Sequence, residues 1–438
     1  MNDKKKISVA VASAVGLGAI IGAGIFVLSG TTIALAGANA ILAFILVGIV
    51  VIILAAEYGE LGSIMPYTSG ASYSYVYQAF GSEMGFITGI LFYLSLAVSI
   101  SVIALGFGAY FTSLFSISIN PIILAIIIIL LLTLINLIGV KKTTKADSIL
   151  VIIKILALII FILFAIFIAS KYSNINLSNF SVNKSQGTIQ SLIEAMITII
   201  FAYSGFQSIS SITSKIDNGA RGAAKSILIA VISSMIIYVL IVTALLLLAP
   251  ATKYTISGDP LSIALLYSNS PLWIIIAVDI GALVATASAM IALLLSSSRI
   301  LYQISKDKLL PRFFRKYNKN DDVAINGVLI TAFIAIITLF AGNIFIITAI
   351  SDFGLIFSYL MTSLALIHFR RRNIIGSVKT PLYPYLPIIV IFALLMFMYG
   401  MPSESLLIGV VIIISLLIIY YSLREVENKK VIRIHLFK

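Results

Sequence analysis

The stretch VGLGAIIGAGIF, residues 15–26, lies in the first long hydrophobic run of the chain and contains four glycines, Gly16, Gly18, Gly22 and Gly24. A segment that crosses a bilayer must satisfy its backbone N–H and C=O groups internally, yet glycine weakens a helix. Two explanations fit these glycines. They form a surface of small residues where helices approach closely, or they mark a helix break that lines a cavity.

The composition is that of an integral membrane protein. Of the 438 residues, 61% are hydrophobic and only 10% are charged, and the mean hydropathy is +1.15. Apolar runs of about 20 residues, long enough to cross a hydrocarbon core of roughly 30 Å, recur along the whole chain. We therefore predict an all-α membrane protein with twelve transmembrane spans. The predicted spans 1 to 12 are 8–34, 38–60, 85–115, 119–140, 147–170, 188–213, 224–250, 270–303, 323–342, 344–369, 382–401 and 404–423.

Basic residues are concentrated on one side of the predicted membrane. The net charge is +13, with 29 Lys and Arg. Only Lys171, Lys184 and Lys253 are predicted on the other side. The positive-inside rule then predicts a multi-pass protein of the cell membrane with both termini in the cytoplasm. The basic clusters are Lys4 to Lys6, Lys141, Lys142 and Lys145, Lys215 to Lys225, Arg299 to Lys319, Arg370 to Lys379, and Arg424 onward.

This charge pattern indicates topology and contacts with anionic lipid headgroups, and we expect no nucleic-acid partner. With no Cys and two His, thiol, disulfide and zinc chemistry is largely excluded, so no metal and no cofactor are expected. The sequence leaves the oligomeric state open.

A second interruption occurs in FAYSGFQ, residues 201–207, where Ser204 and Gly205 fall in the middle of span 6. If the first ten spans are two repeats of five, span 1 corresponds to span 6. Because five is an odd number, the second repeat starts on the opposite side of the membrane, so the repeats are inverted. Paired glycine interruptions at corresponding positions are a strong pointer to a transporter's binding site. Half-helix ends offer N–H groups to a carboxylate and C=O groups to an ammonium, which predicts a zwitterion such as an amino acid.

These repeats divide the chain into five parts. The predicted parts are a cytoplasmic N-terminus at 1–7, a first repeat at 8–170, a second inverted repeat at 188–370, two further helices at 382–423, and a basic cytoplasmic tail at 424–438.

Four motifs carry a resemblance to a known family. They are IGAGIF at 21–26, YGELGSIMPYTSGASYSY at 58–75, FAYSGFQ at 201–207 and SSSRILYQISKDKLLPRFF at 296–314. Together they resemble the amino acid, polyamine and organocation transporter superfamily, which has the five-plus-five repeat of the bacterial leucine transporter fold. The resemblance covers roughly residues 8 to 370. The chain departs from it at Ala71, at Gln207 where many members have Glu, at Lys308 and in a loop, 214–227, that lacks the usual prolines.

The resemblance implies where a substrate binds. The carboxylate would meet backbone N–H groups of the first break, and the ammonium would meet carbonyls of both breaks. Phe201 would form an aromatic gate, with Tyr203 nearby. The residues that the resemblance assigns to substrate binding are Ile20, Gly22, Ala23, Gly24, Phe201, Tyr203, Ser204 and Gly205.

Lys154 is the one basic residue deep inside a predicted span. It resembles the lysine whose amine, in some proton-coupled members, takes the place of a sodium ion. The resemblance would set it beside Gly18 of span 1 and Thr286 or Ser288 of span 8. Because an apolar core disfavours the charged amine, such a lysine can gain and lose a proton. The alternative is a lysine that snorkels to the headgroups.

Six intramembrane acids have no assigned role. Glu57, Glu60, Asp147 and Glu194 lie near the ends of predicted spans, which indicates interfacial or capping positions, whereas Asp279 and Asp352 lie deeper.

The sequence thus predicts a secondary active transporter, and not an enzyme, that takes up neutral amino acids with protons by alternating access. An amino acid/polyamine exchanger and a sodium-coupled transporter of the same fold are the alternatives. A channel or a membrane enzyme fits less well, because the sequence shows neither a filter-like charge ring nor a cluster of nucleophile and base.

Overall fold

The computed structural model describes residues 6–66, 72–138, 144–171, 177–180, 182–184, 186–210, 213–318 and 323–436, without the side chains of 144–148, 177–178, 214 and 423–436. Among the residues discussed above, Lys4, Lys5, Ala71, Lys141, Lys142 and Lys319 lie outside the described residues, and Lys145 and the basic tail are described by backbone alone.

Helices make up nearly all of the described chain. The helices are α1 (Val9–Ile20), α2 (Ala23–Ala36), α3 (Ala40–Ile64), α4 (Ser72–Phe80), α5 (Ser82–Phe115), α6 (Pro121–Ile138), α7 (Thr144–Lys171), α8 (Ile189–Ala202), α9 (Gln207–Ser210), α10 (Gly219–Leu248), α11 (Pro260–Tyr267), α12 (Leu272–Lys306), α13 (Ile325–Thr338), α14 (Ile344–Arg371), α15 (Tyr385–Tyr399) and α16 (Ser403–Leu436). Two strands of two residues, β1 (Tyr317–Asn318) and β2 (Val323–Ala324), pair antiparallel.

Every predicted span overlaps one of these helices, and the predicted breaks divide spans 1 and 6. Nine helical stretches of the described chain are long enough and apolar enough to cross a membrane, with α2 and α3 counted together as one stretch. The helices α1, α13 and α15 are apolar but shorter. The last helix differs from the prediction, because α16 continues through the segment expected as a separate tail, where the sequence has neither Pro nor Gly to end it.

Local sequence explains several helix starts. Asn343 precedes α14, and its side-chain oxygen accepts a hydrogen bond from the N–H of Ile346 at 3.0 Å. Thr188 does the same for α8 through the N–H of Ser191 at 3.0 Å. Such side chains satisfy N–H groups that a helix leaves unpaired in its first turn.

The core is built around α5, which is buried along most of its length and packs against α12 and α14. The first half-helix, α1, packs on α10, and α2 packs on α8. Helices at the periphery expose large aliphatic and aromatic side chains, as at Leu134 on α6, Leu163 on α7 and Phe392 on α15. Exposed apolar faces of this extent are expected where the solvent is lipid.

Glu57 and Glu60, which the sequence places at interfacial or capping positions, have side chains fully buried within the protein. Glu60 forms a salt bridge with Arg370 of α14 at 2.6 Å and accepts the backbone N–H of Thr380 at 2.7 Å. Glu57, one turn earlier on α3, accepts a hydrogen bond from Ser363 at 2.5 Å. These contacts join α3 to α14, and they are formed by residues about 300 positions apart, which a reading of the local helix end does not reveal.

We expect Arg370→Ala to lower the free energy of unfolding by about 3 to 5 kcal/mol, because it leaves the carboxylate of Glu60 buried without its cation. Thermal unfolding of the purified protein in detergent measures the loss. Arg372→Ala is the matched control, since it removes the same charge from an exposed side chain two residues away. Equal shifts in melting temperature for the two variants would contradict the expectation.

Candidate functional site

The first helix break separates α1 from α2. The N–H of Ile21 closes α1 on the carbonyl of Leu17 at 2.7 Å, and the N–H of Gly22 turns back to the carbonyl of Ile20 at 2.7 Å. The helix α2 starts at Ala23, and no side chain caps its N-terminus. The first turn of α2 therefore presents backbone N–H groups and the positive end of its dipole to the space beside Gly22.

The second break lies between α8 and α9. After Ala202 the chain turns, with the N–H of Ser204 donating to the carbonyl of Phe201 at 2.9 Å. The N–H of Gly205 donates to Oε1 of Gln207 at 3.0 Å. Gly205 has φ +109°, a conformation that strongly favours glycine.

The two breaks lie in contact. A Cβ on Gly205 would come within 2.6 Å of the carbonyl oxygen of Ala19, and a Cβ on Gly24 within 2.6 Å of the Cα of Ala202. Only glycine allows so close an approach of the two backbones. These positions show that the glycines serve close packing and the break together, so the two explanations of the opening stretch are not exclusive.

Tyr238 of α10 joins the two breaks. Its hydroxyl oxygen lies 2.8 Å from the carbonyl oxygen of Ile20 and 2.8 Å from that of Ala202. Its single proton is shared between two carbonyls, each at the end of a half-helix. The residue is fully buried, and its ring packs against Tyr203. Sequence reasoning missed it, because nothing within α10 shows that this hydroxyl reaches both breaks.

A cavity of about 630 Å³ lies beside the breaks. Its inner part is lined by apolar side chains of α5, Phe92, Leu96 and Ile103. Its other end reaches Arg299, Gln303 and further residues at the C-terminal end of α12, where the chain is rich in basic residues. The cavity therefore extends from the breaks toward the basic side of the molecule, called the near side below; the opposite side is called the far side.

The far side is sealed by packing of α2 against α5 and α11. Val27 fills the space beside Gly106 of α5, and Pro260 of α11 lies against Gly30. The hydroxyl of Tyr110 donates to the carbonyl of Phe26 at 2.6 Å.

Lys154 lies in α7 beside the first half-helix. Its side chain is 4% exposed, and Nζ donates to the carbonyl oxygen of Gly18 at 2.5 Å. The amine lines the cavity, so it does not reach toward the headgroups. A Cβ on Gly18 would lie 2.5 Å from Val151, one turn before Lys154, so glycine here permits the close approach of α1 to α7.

Most of the predicted substrate residues line the cavity: Ile20, Gly22, Ala23, Gly24, Phe201, Ser204 and Gly205. Tyr203 is not among the lining residues, because its hydroxyl donates to the carbonyl of Phe44 at 2.9 Å. Ser288 lines the cavity, but the hydroxyls of Ser288 and Thr286 donate to carbonyls of their own helix, α12. The carbonyls of Ile20 and Phe201, predicted to meet an ammonium, already accept one hydrogen bond or more each.

A helical membrane protein whose two broken helices meet at a central cavity belongs to the class of solute transporters. The chain is a member of the amino acid permease family, since the sequence model of that family matches residues 7–423. It is a transporter and not an enzyme, in keeping with its relatives.

Two relatives are similar over most of their length. The methylthioribose transporter of Bacillus subtilis is 28% identical over 404 residues, which cover 89% of this chain and 87% of the relative. The branched-chain amino acid permease BcaP of Lactococcus lactis is 25% identical, with 95% and 94% covered. Among solved structures, a manganese transporter of Eremococcus coleocola superposes with a TM-score of 0.62 at 14% identity, covering 94% of this chain and 93% of that one. That likeness establishes the fold alone.

We expect Tyr238→Phe to reduce transport strongly, because it removes the hydroxyl that joins the ends of the two half-helices. The loss of stability should be near 1 to 3 kcal/mol, the cost of removing a buried hydrogen-bond donor from its acceptor. Uptake into proteoliposomes and thermal unfolding measure the two effects. Tyr254→Phe is the matched control, because Tyr254 is also buried and donates to one carbonyl, that of Leu245, outside the cavity. Undiminished transport by Tyr238→Phe would refute the assignment.

Proposed function

We propose that this protein is a secondary active transporter of the cell membrane that takes up neutral amino acids together with protons by alternating access. The observation that carries the proposal is the meeting of two helix breaks, the first of which has an uncapped helix N-terminus, with a buried lysine at one cavity. Membership of the amino acid permease family supports an amino acid as the substrate.

The proposed architecture has twelve spans, with both termini in the cytoplasm. It treats residues 8–170 and 188–370 as two inverted repeats of five spans, in which α1 with α2 corresponds to α8 with α9. The paired breaks support this correspondence. Under the positive-inside rule the basic near side is cytoplasmic, so the cavity opens inward in this structure.

The proposed binding mode places the substrate carboxylate at the N–H groups of Gly22, Ala23 and Gly24. The ammonium lies at the second break, where Ser204 and Gly205 line the cavity. Charges of opposite sign are thus held by opposite helix ends, and backbone groups supply the recognition.

The substrate side chain would lie against Phe92, Leu96 and Ile103 of α5, with Phe201 as the gate above the cavity. Within the described part of the chain, the cavity lining contains no acidic residue, and its two basic residues are Lys154 and Arg299. An apolar inner cavity favours a neutral, apolar side chain over a polyamine. The relative BcaP, which is named as a branched-chain amino acid permease, supports this proposal.

We expect neutral apolar amino acids to raise the melting temperature of the purified protein. Binding to the folded state stabilises it by about 2.7 kcal/mol when the ligand is at a hundredfold its dissociation constant. Gly22→Ala should keep the unliganded melting temperature and lose much of this shift, since its Cβ has room, 3.6 Å from Ala289, beside the proposed carboxylate site. Gly24→Ala should lose about 1 to 3 kcal/mol without ligand, because its Cβ overlaps Ala202.

A screen against the common amino acids and polyamines decides the substrate class. Shifts produced by polyamines and not by amino acids would contradict the proposal. An equal ligand shift in Gly22→Ala and the unaltered protein would contradict the proposed carboxylate site.

The proposed coupling group is Lys154. When protonated, its ammonium donates to the carbonyl of Gly18 and holds α1 against α7. The neutral amine is the more stable form in an apolar core. Its hydrogen bond to the carbonyl of Gly18 is weaker, because it is no longer assisted by charge. Proton gain and loss therefore change how firmly the first half-helix is held to its neighbour. The hydroxyls of Thr286 and Ser288 on α12 are proposed as further acceptors for the ammonium.

We expect Lys154→Ala to abolish uptake driven by an imposed pH gradient in proteoliposomes. Exchange of labelled for unlabelled substrate should persist, because binding and conformational change do not require net proton movement. Lys171→Ala is the matched control: it removes an exposed lysine from the end of the same helix, and gradient-driven uptake should remain as in the unaltered protein. Undiminished gradient-driven accumulation by Lys154→Ala would overturn the proposed coupling.

The same assay separates the two alternatives. An exchanger would show uptake that ignores the pH gradient and requires internal substrate. A sodium-coupled transporter would require sodium, which would compete with the amine of Lys154 for one space. Either result would replace the proton in the proposal.

A further inference from the structure

Asp352 is a buried carboxyl group that plays no part in the site described above. It lies in α14 and its side chain is fully buried. Within the described residues, neither of its oxygen atoms has a hydrogen-bond partner. The other deep acid, Asp279, accepts a hydrogen bond from Ser262 at 2.5 Å, so Asp352 is distinct in this respect.

The neighbourhood of Asp352 follows from the helix geometry. Tyr359 lies seven residues later, two turns along the same face of α14. The ring of Tyr359 packs against Phe206 of the second break and Tyr58 of α3, at 5.8 and 6.1 Å between centroids. Asp352 lies in the half of α14 that begins at Ile344, whereas the basic residues lie at the other end of this helix, at Arg370 and Arg371. Asp352 is therefore placed beyond the breaks, on the far side, where α8 packs against α14.

The helices that pack against α14 bring no positive charge to this face in the described part of the chain. Tyr359 is the titratable group on the same face of α14. Among the neighbours, Glu60 is paired with Arg370, Glu57 accepts from Ser363, and Glu194 of α8 accepts from Gln190. Apart from the charged residues of α16 after residue 422, which are described by backbone alone, the other titratable residues on these helices are Tyr58, Tyr73, Tyr75, Tyr77, Glu83, Tyr93, Tyr110, Tyr385, Tyr399, Glu404, Tyr420 and Tyr421.

A carboxylate buried without a hydrogen-bond donor or a cation is far less stable than the neutral acid. The carboxyl of Asp352 therefore carries its proton when the far side is sealed. If the far side opens, α2 and α8 separate from α5 and α14, and water reaches this face. A hydrated carboxyl at neutral pH releases its proton.

We propose that Asp352 is a second proton-binding site, whose proton must be present for the far side to close. The inference rests on the alternating access of the proposed function. The proton binds to a carboxylate oxygen from the far-side solution before closure, and it returns to that solution on opening. Asp352 thus sets the pH dependence of far-side closure, whereas Lys154 is proposed to link protons to net uptake.

The absence of cysteine from the chain allows a direct test. Val27→Cys places one thiol at the sealed contact between α2 and Gly106 of α5, where the native side chain is fully buried. A hydrophilic maleimide reacts with this thiol only when the far side opens. The labelling rate is measured in lipid nanodiscs from about pH 6 to about pH 9, in the reporter protein with and without Asp352→Asn. The ratio of the two rates at each pH cancels the pH dependence of the thiol itself.

We expect the labelling rate of the reporter, divided by that of the reporter carrying Asp352→Asn, to rise severalfold as the pH increases. The reason is that a higher pH favours the ionised carboxylate and therefore the open far side. About tenfold per pH unit is the limit for one proton. Asparagine has the size of the neutral acid and cannot ionise, so Asp352→Asn should remain folded, which gel filtration and thermal unfolding check.

Asp217→Asn in the same reporter is the matched control, because it makes the same chemical change on the near side. The labelling rate of the reporter, divided by that of the reporter carrying Asp217→Asn, should stay near one at every pH. A ratio for Asp352→Asn that does not change with pH, in protein that is labelled and folded, would overturn the inference. A thiol that is never labelled in any background, in protein that transports nothing, would instead overturn alternating access.

Discussion

The structure depends on one constraint, that a backbone group in the apolar interior must find a partner within the protein. Each break exposes carbonyls at the end of one half-helix and N–H groups at the start of the next. Tyr238 joins two of the carbonyls, and Gln207 accepts the N–H of Gly205. The N-terminus of α2 receives no such cap. The protein thus provides hydrogen-bond partners for backbone groups at both breaks and leaves the N-terminus of α2 facing the cavity.

Glycine allows this arrangement through close approach and conformational freedom together. Gly205 adopts a positive φ and also lies against the carbonyl of Ala19, and Gly24 lies against Ala202. The breaks are therefore in backbone contact, so a displacement of one half-helix alters the surroundings of the other. The two halves of the molecule are therefore coupled at this point by direct contact between their backbones.

The sequence was sufficient to predict the parts of the fold that depend on local patterns. Apolar run length located a helix at every predicted span, and the glycines of residues 15–26 and 201–207 located both breaks. Contacts between distant residues were not predictable in this way. Tyr238 looks like any aromatic residue of an apolar helix, and the burial of Glu60 depends on Arg370, 310 positions later. The contact of Lys154 with Gly18 was expected from the resemblance and not from the pattern of residues.

The buried charged groups differ in how firmly their charge is fixed. Glu60 and Arg370 neutralise each other, and the backbone N–H of Thr380 also donates to Glu60, so this pair joins α3 to α14. Lys154 is described with a backbone carbonyl as acceptor, and Asp352 with no partner at all within the described residues. The carbonyl of Gly18 is itself neutral, so this hydrogen bond sets no opposite charge against the amine of Lys154. Groups such as Lys154 and Asp352 can change protonation while the fold persists. A conformational cycle driven by protons requires this property.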